Sequence, residues 1–576
     1  MAETRNLYLG NTDKGSGCLQ VDGTLTNANA LYIGASQNNG WMKIANGGAC
    51  YIGNEGISMA NKAGKVGELI IEDGGNLSAT NSGSRILVGN NGTGIVTQVG
   101  GSVSVPILQL GSGAQSYGIY EMQGGELNNL QVARIGQNNG KGFFSISGGS
   151  INCSSLYAGY DTNATGAISF TGGSLTAVFL CVGRYGSGVV TNDGGTVDVS
   201  KSIAVPSYQS GNGLLVHKSG SLKVTTAEGT NSKGIYVGYK GIGRLVAESD
   251  FFSPRLMAGL NGGTGVIEII GCTYSNLWTS TALHEPIIIG GESFWETNSS
   301  PHTYNSKGTL ILRDGMIKVV GQKCIIIRAT EDCSGELRGW GSVTNTLLPS
   351  TTGGLYEGYY FIRNNGTVIA DGEGEERDLN LSSMLQASHT FSNTIDGKTG
   401  WYAINKGRLR FPQLNFANLG SSYSHTYGAY KGATADAVSL PINSVRAAFS
   451  GAENVQGVVI NKNGDYYAGY DYELYATNRT DIPAGLPAKG VLSVWRLSSP
   501  GFETVSLEVR YDVNYVPANQ GIALFHKTSD GWRKIGSGNA ETAALTANGV
   551  TPQPDDGNLG WFASVLMPKG FVVIMR

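Results

Sequence analysis

The chain is 576 residues long, with 87 glycines, a charged content of 14% and a formal net charge of −3. That length accommodates two or three domains, and the charged content is low against about 25% for ordinary globular domains. The near-neutral balance gives no electrostatic basis for nucleic acid or an anionic membrane as partner, and with no run of eighteen apolar residues, no transmembrane helix and no membrane insertion are expected.

Met1-Ala2-Glu3-Thr4 leads almost directly into the first strand-like run, Leu7-Tyr8-Leu9-Gly10. The same apolar-x-apolar-Gly tetrad recurs at Leu31-Tyr32-Ile33-Gly34, Ile86-Leu87-Val88-Gly89, Leu156-Tyr157-Ala158-Gly159 and Ile235-Tyr236-Val237-Gly238, with less perfect copies ending at Gly53, Gly111, Gly136, Gly183, Gly259 and Gly290. Interleaved with it are Gly-Gly pairs beginning at Gly47, Gly74, Gly100, Gly124, Gly148, Gly172 and Gly194, separated by 27, 26, 24, 24, 24 and 22 residues. A fixed period of this size marks stacked supersecondary units. The segments flanking each pair alternate apolar and polar, as in Ala167-Ile168-Ser169-Phe170 and Ser174-Leu175-Thr176, which is the two-residue period of a half-buried strand.

One repeat is therefore three short strands with glycine-rich corners, the size of a parallel β-helix coil of about 24 residues. Helical repeats are excluded by the missing i, i+3, i+4 spacing and by glycines that would cost roughly 1 kcal/mol each inside helices. The predicted fold is all-β: a right-handed parallel β-helix, followed by a C-terminal antiparallel β-sandwich. About twelve coils at about 4.8 Å each predict a rod near 60 Å long.

The regular coils are expected over 1–295. Around Ser299-Ser300-Pro301-His302 the rhythm breaks, and 296–440 reads as irregular coils with loop insertions and a linker. From 441 to 576 the pattern is one of antiparallel strands. Val455 to Ile460 meets Tyr466 to Tyr472 through Asn463-Gly464, Ser529-Asp530-Gly531-Trp532 makes a second hairpin turn, and Phe571 to Met575 is a last strand.

The repeat Val88-Gly89 with Gly94-Ile95-Val96-Thr97-Gln98-Val99-Gly100-Gly101-Ser102-Val103-Ser104-Val105 resembles the autotransporter-associated β-strand repeat of bacterial surface proteins, as do Gly166 to Thr176 and Gly188 to Val199. The second half, through Gly341 to Thr346, Asn365 to Gly372 and Gly400 to Leu409, is similar to a region of secreted proteins from the Planctomycetes–Verrucomicrobia–Lentisphaerae group. These resemblances imply a solenoid fold and attach no activity. The chain departs from true autotransporters at its end, Val573-Ile574-Met575-Arg576, where a membrane barrel would need many ten-residue strands and a terminal aromatic. Low charge and abundant Gly, Asn and Thr in such a solenoid suggest export to the bacterial cell surface or medium, with a leader removed.

Seven cysteines, an odd number, cannot all pair within the chain. Cys324 and Cys333 are close enough to bridge a hairpin; single buried thiols are the competing reading. No histidine or cysteine spacing suits zinc.

Catalysis on a solenoid needs acid and base groups converging on one face. The residues preceding the glycine pairs, Asn46, Asp73, Val99, Gln123, Ser147, Thr171 and Asp193, form no acidic ladder. His284-Glu285, and Arg328 with Glu331-Asp332, are acid/base candidates whose plainer reading is surface charge or loop anchor. Asp371-Gly372-Glu373-Gly374-Glu375-Glu376-Arg377-Asp378 packs five acids into eight residues. Asp371, Glu373, Glu375 and Asp378 are thus candidate calcium ligands, against the plainer reading of a solvated loop. No other cofactor is implied.

The middle residue of each tetrad is expected to point outward and to form a stripe: Tyr8, Tyr32, Tyr51, Leu87, Gln109, Arg134, Tyr157, Cys181, Tyr236, Met257 and Ile288. Tyr8, Tyr32, Tyr51, Tyr157 and Tyr236 make it greasy, suited to packing against a neighbouring subunit or the chain's own tail, or to stacking on sugar rings. The leading expectation is a non-catalytic exported structural or surface protein that self-associates into fibres or serves as an adhesive stalk. The alternatives are a secreted polysaccharide lyase or glycoside hydrolase, and a glycan-binding module.

Overall fold

The computed structural model describes residues 6–11, 15–27, 29–79, 81–225, 234–276, 286–291, 305–319, 323–329, 333–345, 360–364, 366–372, 377–381, 390–392, 394–395, 398–399, 401–406, 408–410, 429–430, 442–450, 471–475, 483–486, 490–498, 504–511, 520–539, 544–551 and 560–568. The chain is all-β, a parallel β-solenoid of about 12 turns spaced roughly 25 residues apart, with an antiparallel sheet in its C-terminal region. It divides into two compact units, Met1–Ser275 with Glu292–Gly308, and Asn276–Gly291 with Thr309–Arg576.

In the first unit each strand as far as Ser102–Ser104 pairs in parallel with the strand three places further on, so each coil has three sides; beyond it strands such as Glu126–Ile135 and Ser187–Val205 run through a corner and span more than one side. One side runs through Leu7–Leu9, Ala30–Ile33, Gly56–Met59, Arg85–Val88 and Ile107–Leu110. The second runs through Gly17–Val21, Gly40–Ile44, Val66–Ile71, Thr93–Gln98, Tyr117–Met122 and Lys141–Ile146. The third runs through Thr24–Asn27, Ala49–Ile52, Asn76–Ser78 and Ser102–Ser104. The alternating pattern puts every second side chain inside, where like positions stack. Met42, Leu69, Val96, Tyr120, Phe144, Ile168, Val190 and Leu215 form one such column, none more than 2% exposed. Each contributes about 1.5–3 kcal/mol by burial, and only against its two neighbours.

Two sets of glycines shape the coils. The tetrad glycines turn the corner in the left-handed region, as at Gly34 (φ 67°) and Gly159 (φ 68°), where a Cβ would be strained. A second set lies just inside the next strand, in strict register: Gly17, Gly40, Gly67, Gly94, Gly118, Gly142, Gly166, Gly188, Gly213, Gly243 and Gly265. Their constraint is space. A Cβ on Gly166 would land between Gly159 N and Ile135 O, whose 2.8 Å hydrogen bond joins two coils at the corner. The same arrangement recurs where Gly142 faces Gly136 N and Leu110 O, and where Gly188 faces Gly183 N and Ala158 O.

In the first coil, Leu7, Leu19 and Leu25 are half-buried, whereas their partners Leu31, Met42 and Cys50 are fully covered. Among the described residues, these first three strands are paired on one side only.

In the second unit parallel pairing continues from Ile287–Ile289 to Lys323–Ile327, Tyr360–Asn364 and Thr390–Ser392, and from Ser334–Asn345 to Thr367–Asp371 and Trp401–Lys406. The antiparallel sheet follows, ordered Ile442–Ser450, Thr504–Tyr511, Ala544–Val550, Gly531–Asn539, Gln520–Thr528, Gly560–Pro568, Val491–Ser498 and Asp471–Tyr475. Val494, Ala523, Phe525, Trp532, Ala563 and Val565 are its core. The expected turn at Ser529-Asp530 joins two antiparallel strands; the Asn463-Gly464 hairpin and the strand from Phe571 to Met575 lie outside the described residues.

Candidate functional site: an aromatic and cationic cluster on the first unit

The middle residues of the tetrad strands do align. Register carries one continuous column through Tyr8, Tyr32, Ser58, Leu87, Gln109, Arg134, Tyr157, Cys181, Ala204, Tyr236 and Met257. Tyr51 is not in it. Tyr51 pairs with Thr26 and Ser78 on another side of the coil. The third coil's true tetrad is Ile57-Ser58-Met59-Ala60, in which Ala60 takes the left-handed corner (φ 56°) without a glycine. Coil nine likewise contributes Ala204, with Pro206 at the corner position. Ile288 belongs to the second unit and pairs with Ile326 there.

The column is not uniformly exposed. Tyr8 is 45% exposed and stacks on Tyr32 at 4.7 Å with 7° between the rings. The Tyr32 hydroxyl donates to Glu55 Oε2 at 3.3 Å, and partial burial together with the Glu55 charge raises its pKa. Further along, two residues just past a corner fold back over the column. Gln109 Nε2 donates to Gln137 Oε1 at 2.5 Å, and the Cys181 thiol meets the Ser207 hydroxyl at 3.1 Å. Tyr236 is 8% exposed, its ring 6.3 Å from Tyr239, and burial drives its pKa up.

Between these ends lies the densest chemistry of the unit. Tyr157 meets Tyr160 edge-on at 5.1 Å and Phe179 at 5.9 Å; Tyr185 and Tyr208 stack at 4.4 Å. Arg184 sits among four of these rings, its guanidinium carbon 4.4 Å from the Tyr160 centroid, 5.0 Å from Tyr185, 5.3 Å from Tyr208 and 5.4 Å from Tyr157. Arg134, from the coil before, addresses the same Tyr160 ring at 4.6 Å. Burial works against the Arg184 charge, but the hydrogen bond to Tyr208 and the Tyr160 hydroxyl outweigh it, so its pKa is raised. Among the described residues Arg184 belongs to no ion pair; Asp161, the acid next to Tyr160, accepts from Asn138 N at 3.2 Å instead.

This cluster walls a pocket of about 300 Å³, with Tyr157, Phe179, Tyr208 and Tyr239 as its rings, Arg184 and Lys240 as its cations and Ser207 as a hydroxyl. Lys240 lies with Nζ 5.5 Å from the Tyr239 centroid and holds a left-handed backbone (φ 64°). Among the other described non-glycine residues of this unit that region is taken mostly by Asn, at Asn129, Asn138, Asn139, Asn163 and Asn261. Of the pocket residues only Tyr157 was legible as a candidate. Arg184, Ser207, Tyr208 and Lys240 sit in turns of varying length, where a fixed repeat spacing does not find them, and Phe179 and Tyr239 lie on strands outside the tetrad's middle position.

In the second unit, Asp371 is committed to Arg338, which also reaches Glu336. Asp378 begins the strand Asp378–Asn380, opposite Arg408. Glu373 and Glu375 lie outside the described residues, as do His284-Glu285, Glu331-Asp332 and the Cys324 side chain. No protein-family model, curated protein or solved structure matches the chain.

Proposed function

We propose that this chain is a non-catalytic structural protein of the bacterial cell surface or medium, an adhesive solenoid that contacts saccharides through one lateral face. The observation that carries the reading is the cluster around Arg184, where tyrosines from successive coils converge on a pocket. Tyrosine joins a flat apolar face to a polar tip, the combination suited to a sugar ring and its hydroxyls. Retention on a panel of insoluble polysaccharides tests it: the wild type is held back on at least one, and Tyr208→Ala with Tyr157→Ala is not. Equal elution of both from every matrix refutes the adhesive role, and release of soluble sugar would favour the polysaccharide-degrading alternative.

A second reading, self-association, is favoured by Tyr8, 45% exposed and stacked on Tyr32, an aromatic surface suited to packing against a second copy. Light scattering should show concentration-dependent oligomers that Tyr8→Lys abolishes. A wild type that stays monomeric throughout removes that reading.

A further inference from the structure

We propose that the pocket between Tyr157, Tyr208 and Tyr239 binds an acidic pyranose, a hexuronate residue, whose carboxylate is received by Arg184 and Lys240. This rests on the adhesive reading and names the ligand class. About 300 Å³ lies at the small end of ligand sites, the scale of a sugar ring. A bare anion would need no ring walls, and a neutral sugar would need no cations, yet both are built into the same concavity.

Arg184 is placed for this task. Its guanidinium has five N–H donors in a fixed fork, and the Tyr208 and Tyr160 hydroxyls engage it. Ring faces hold the plane, leaving in-plane donors for the bidentate geometry that carboxylates prefer. Lys240 supplies a second, independent observation. Where the described turns of this unit hold a side chain in the left-handed region, Ala60 apart, they otherwise use Asn, because a longer side chain gains nothing locally from that backbone. A lysine there, beside the pocket, makes sense as a charge placed for a ligand, since strained backbone gathers at binding sites.

Isothermal titration calorimetry with trigalacturonate, its methyl ester, a neutral galactose trimer and benzoate tests the assignment. Expected is binding of trigalacturonate, weaker by about tenfold or more for the ester, and a similar loss for Arg184→Gln and Lys240→Asn. Lys240→Asn uses the residue the fold already places in this conformation, so an unchanged thermal midpoint is expected with it. Equal affinity for acid and ester overturns the charge assignment and leaves the adhesive reading standing. Benzoate binding tighter than the uronate overturns the sugar. Wild-type binding that both variants retain overturns the location. No heat with any of the four, together with no retention on polysaccharide matrices, overturns both readings.

Discussion

Replacing Gly166 by alanine should uncouple the solenoid at one defined joint. The added Cβ falls between Gly159 N and Ile135 O, well inside contact distance of both, and the atoms in its way are backbone, with no flexible side-chain end to yield. The coils must part at the corner and break a 2.8 Å inter-coil hydrogen bond. A buried donor and acceptor left unpaired cost about 1–3 kcal/mol each, and overpacking adds about 1–3 kcal/mol. The total, on the order of 3–9 kcal/mol, rivals the whole stability of many domains. Gly83→Ala is the matched control, because nothing lies within 4 Å of its Cβ position, and it should change stability by no more than about 0.5 kcal/mol. In a stack held by nearest-neighbour contacts, the informative readout is local: amide exchange at Gly159, beside global urea unfolding. Gly166→Ala should strip protection from that amide and its flanking strands. A Gly166→Ala protein with wild-type exchange and a cost below about 1 kcal/mol would refute the close-approach account.

Three further outcomes follow from the interior. Tyr120 donates to Gln98 Oε1 at 2.7 Å, both fully buried; Tyr120→Phe should cost about 1–3 kcal/mol, and a double-mutant cycle with Gln98→Leu should give about 1 kcal/mol or more of coupling, near-additivity counting against the bond. His217 accepts from Asn192 Nδ2 at Nδ1 and donates from Nε2 to Asp250 O, each at 3.2 Å, an arrangement only the neutral ring satisfies, and burial lowers its pKa from 6.5. Its contribution is therefore complete above pH 6.5 and declines as pH falls below that value; urea midpoints from pH 7.5 to 5 should show the decline, and His217→Gln should lessen it. Burial pushes the Cys50 and Cys153 thiols up to about 12 and those of Cys181 and Cys272 to about 11, so a thiol reagent at pH 8 should modify exposed Cys18 first and reach those four only on unfolding; early labelling of Cys153 would contradict the packing.

Much of the architecture was legible in the sequence. Gly-Gly pairs and alternating tetrads are direct products of corner and strand geometry, so their period fixed the coil and the column of outward positions. What escaped was whatever did not repeat by residue type. Ala60 and Pro206 stand where other coils use glycine, which drew Tyr51 into the column in place of Ser58 and hid Ala204. The second glycine set went unseen because, in a chain with 87 glycines, an interior glycine announces nothing until register shows what it faces. The pocket was invisible for a related reason: Tyr160, Arg184, Tyr208 and Lys240 have no counterparts at equal spacing.

The paired glycines also behave as the two ends of a socket. Gly89 and Gly94 are five residues apart, Gly136 and Gly142 six, and Gly159 and Gly166 seven, yet the bond across the neck stays near 2.8 Å at both Gly136 and Gly159. Segments of different length and chemistry can thus be exchanged above a neck that does not change. Arg184 and Lys240 lie in two such segments. Evolution, or an engineer, could rewrite what this face recognises one cassette at a time, with the interior none the wiser.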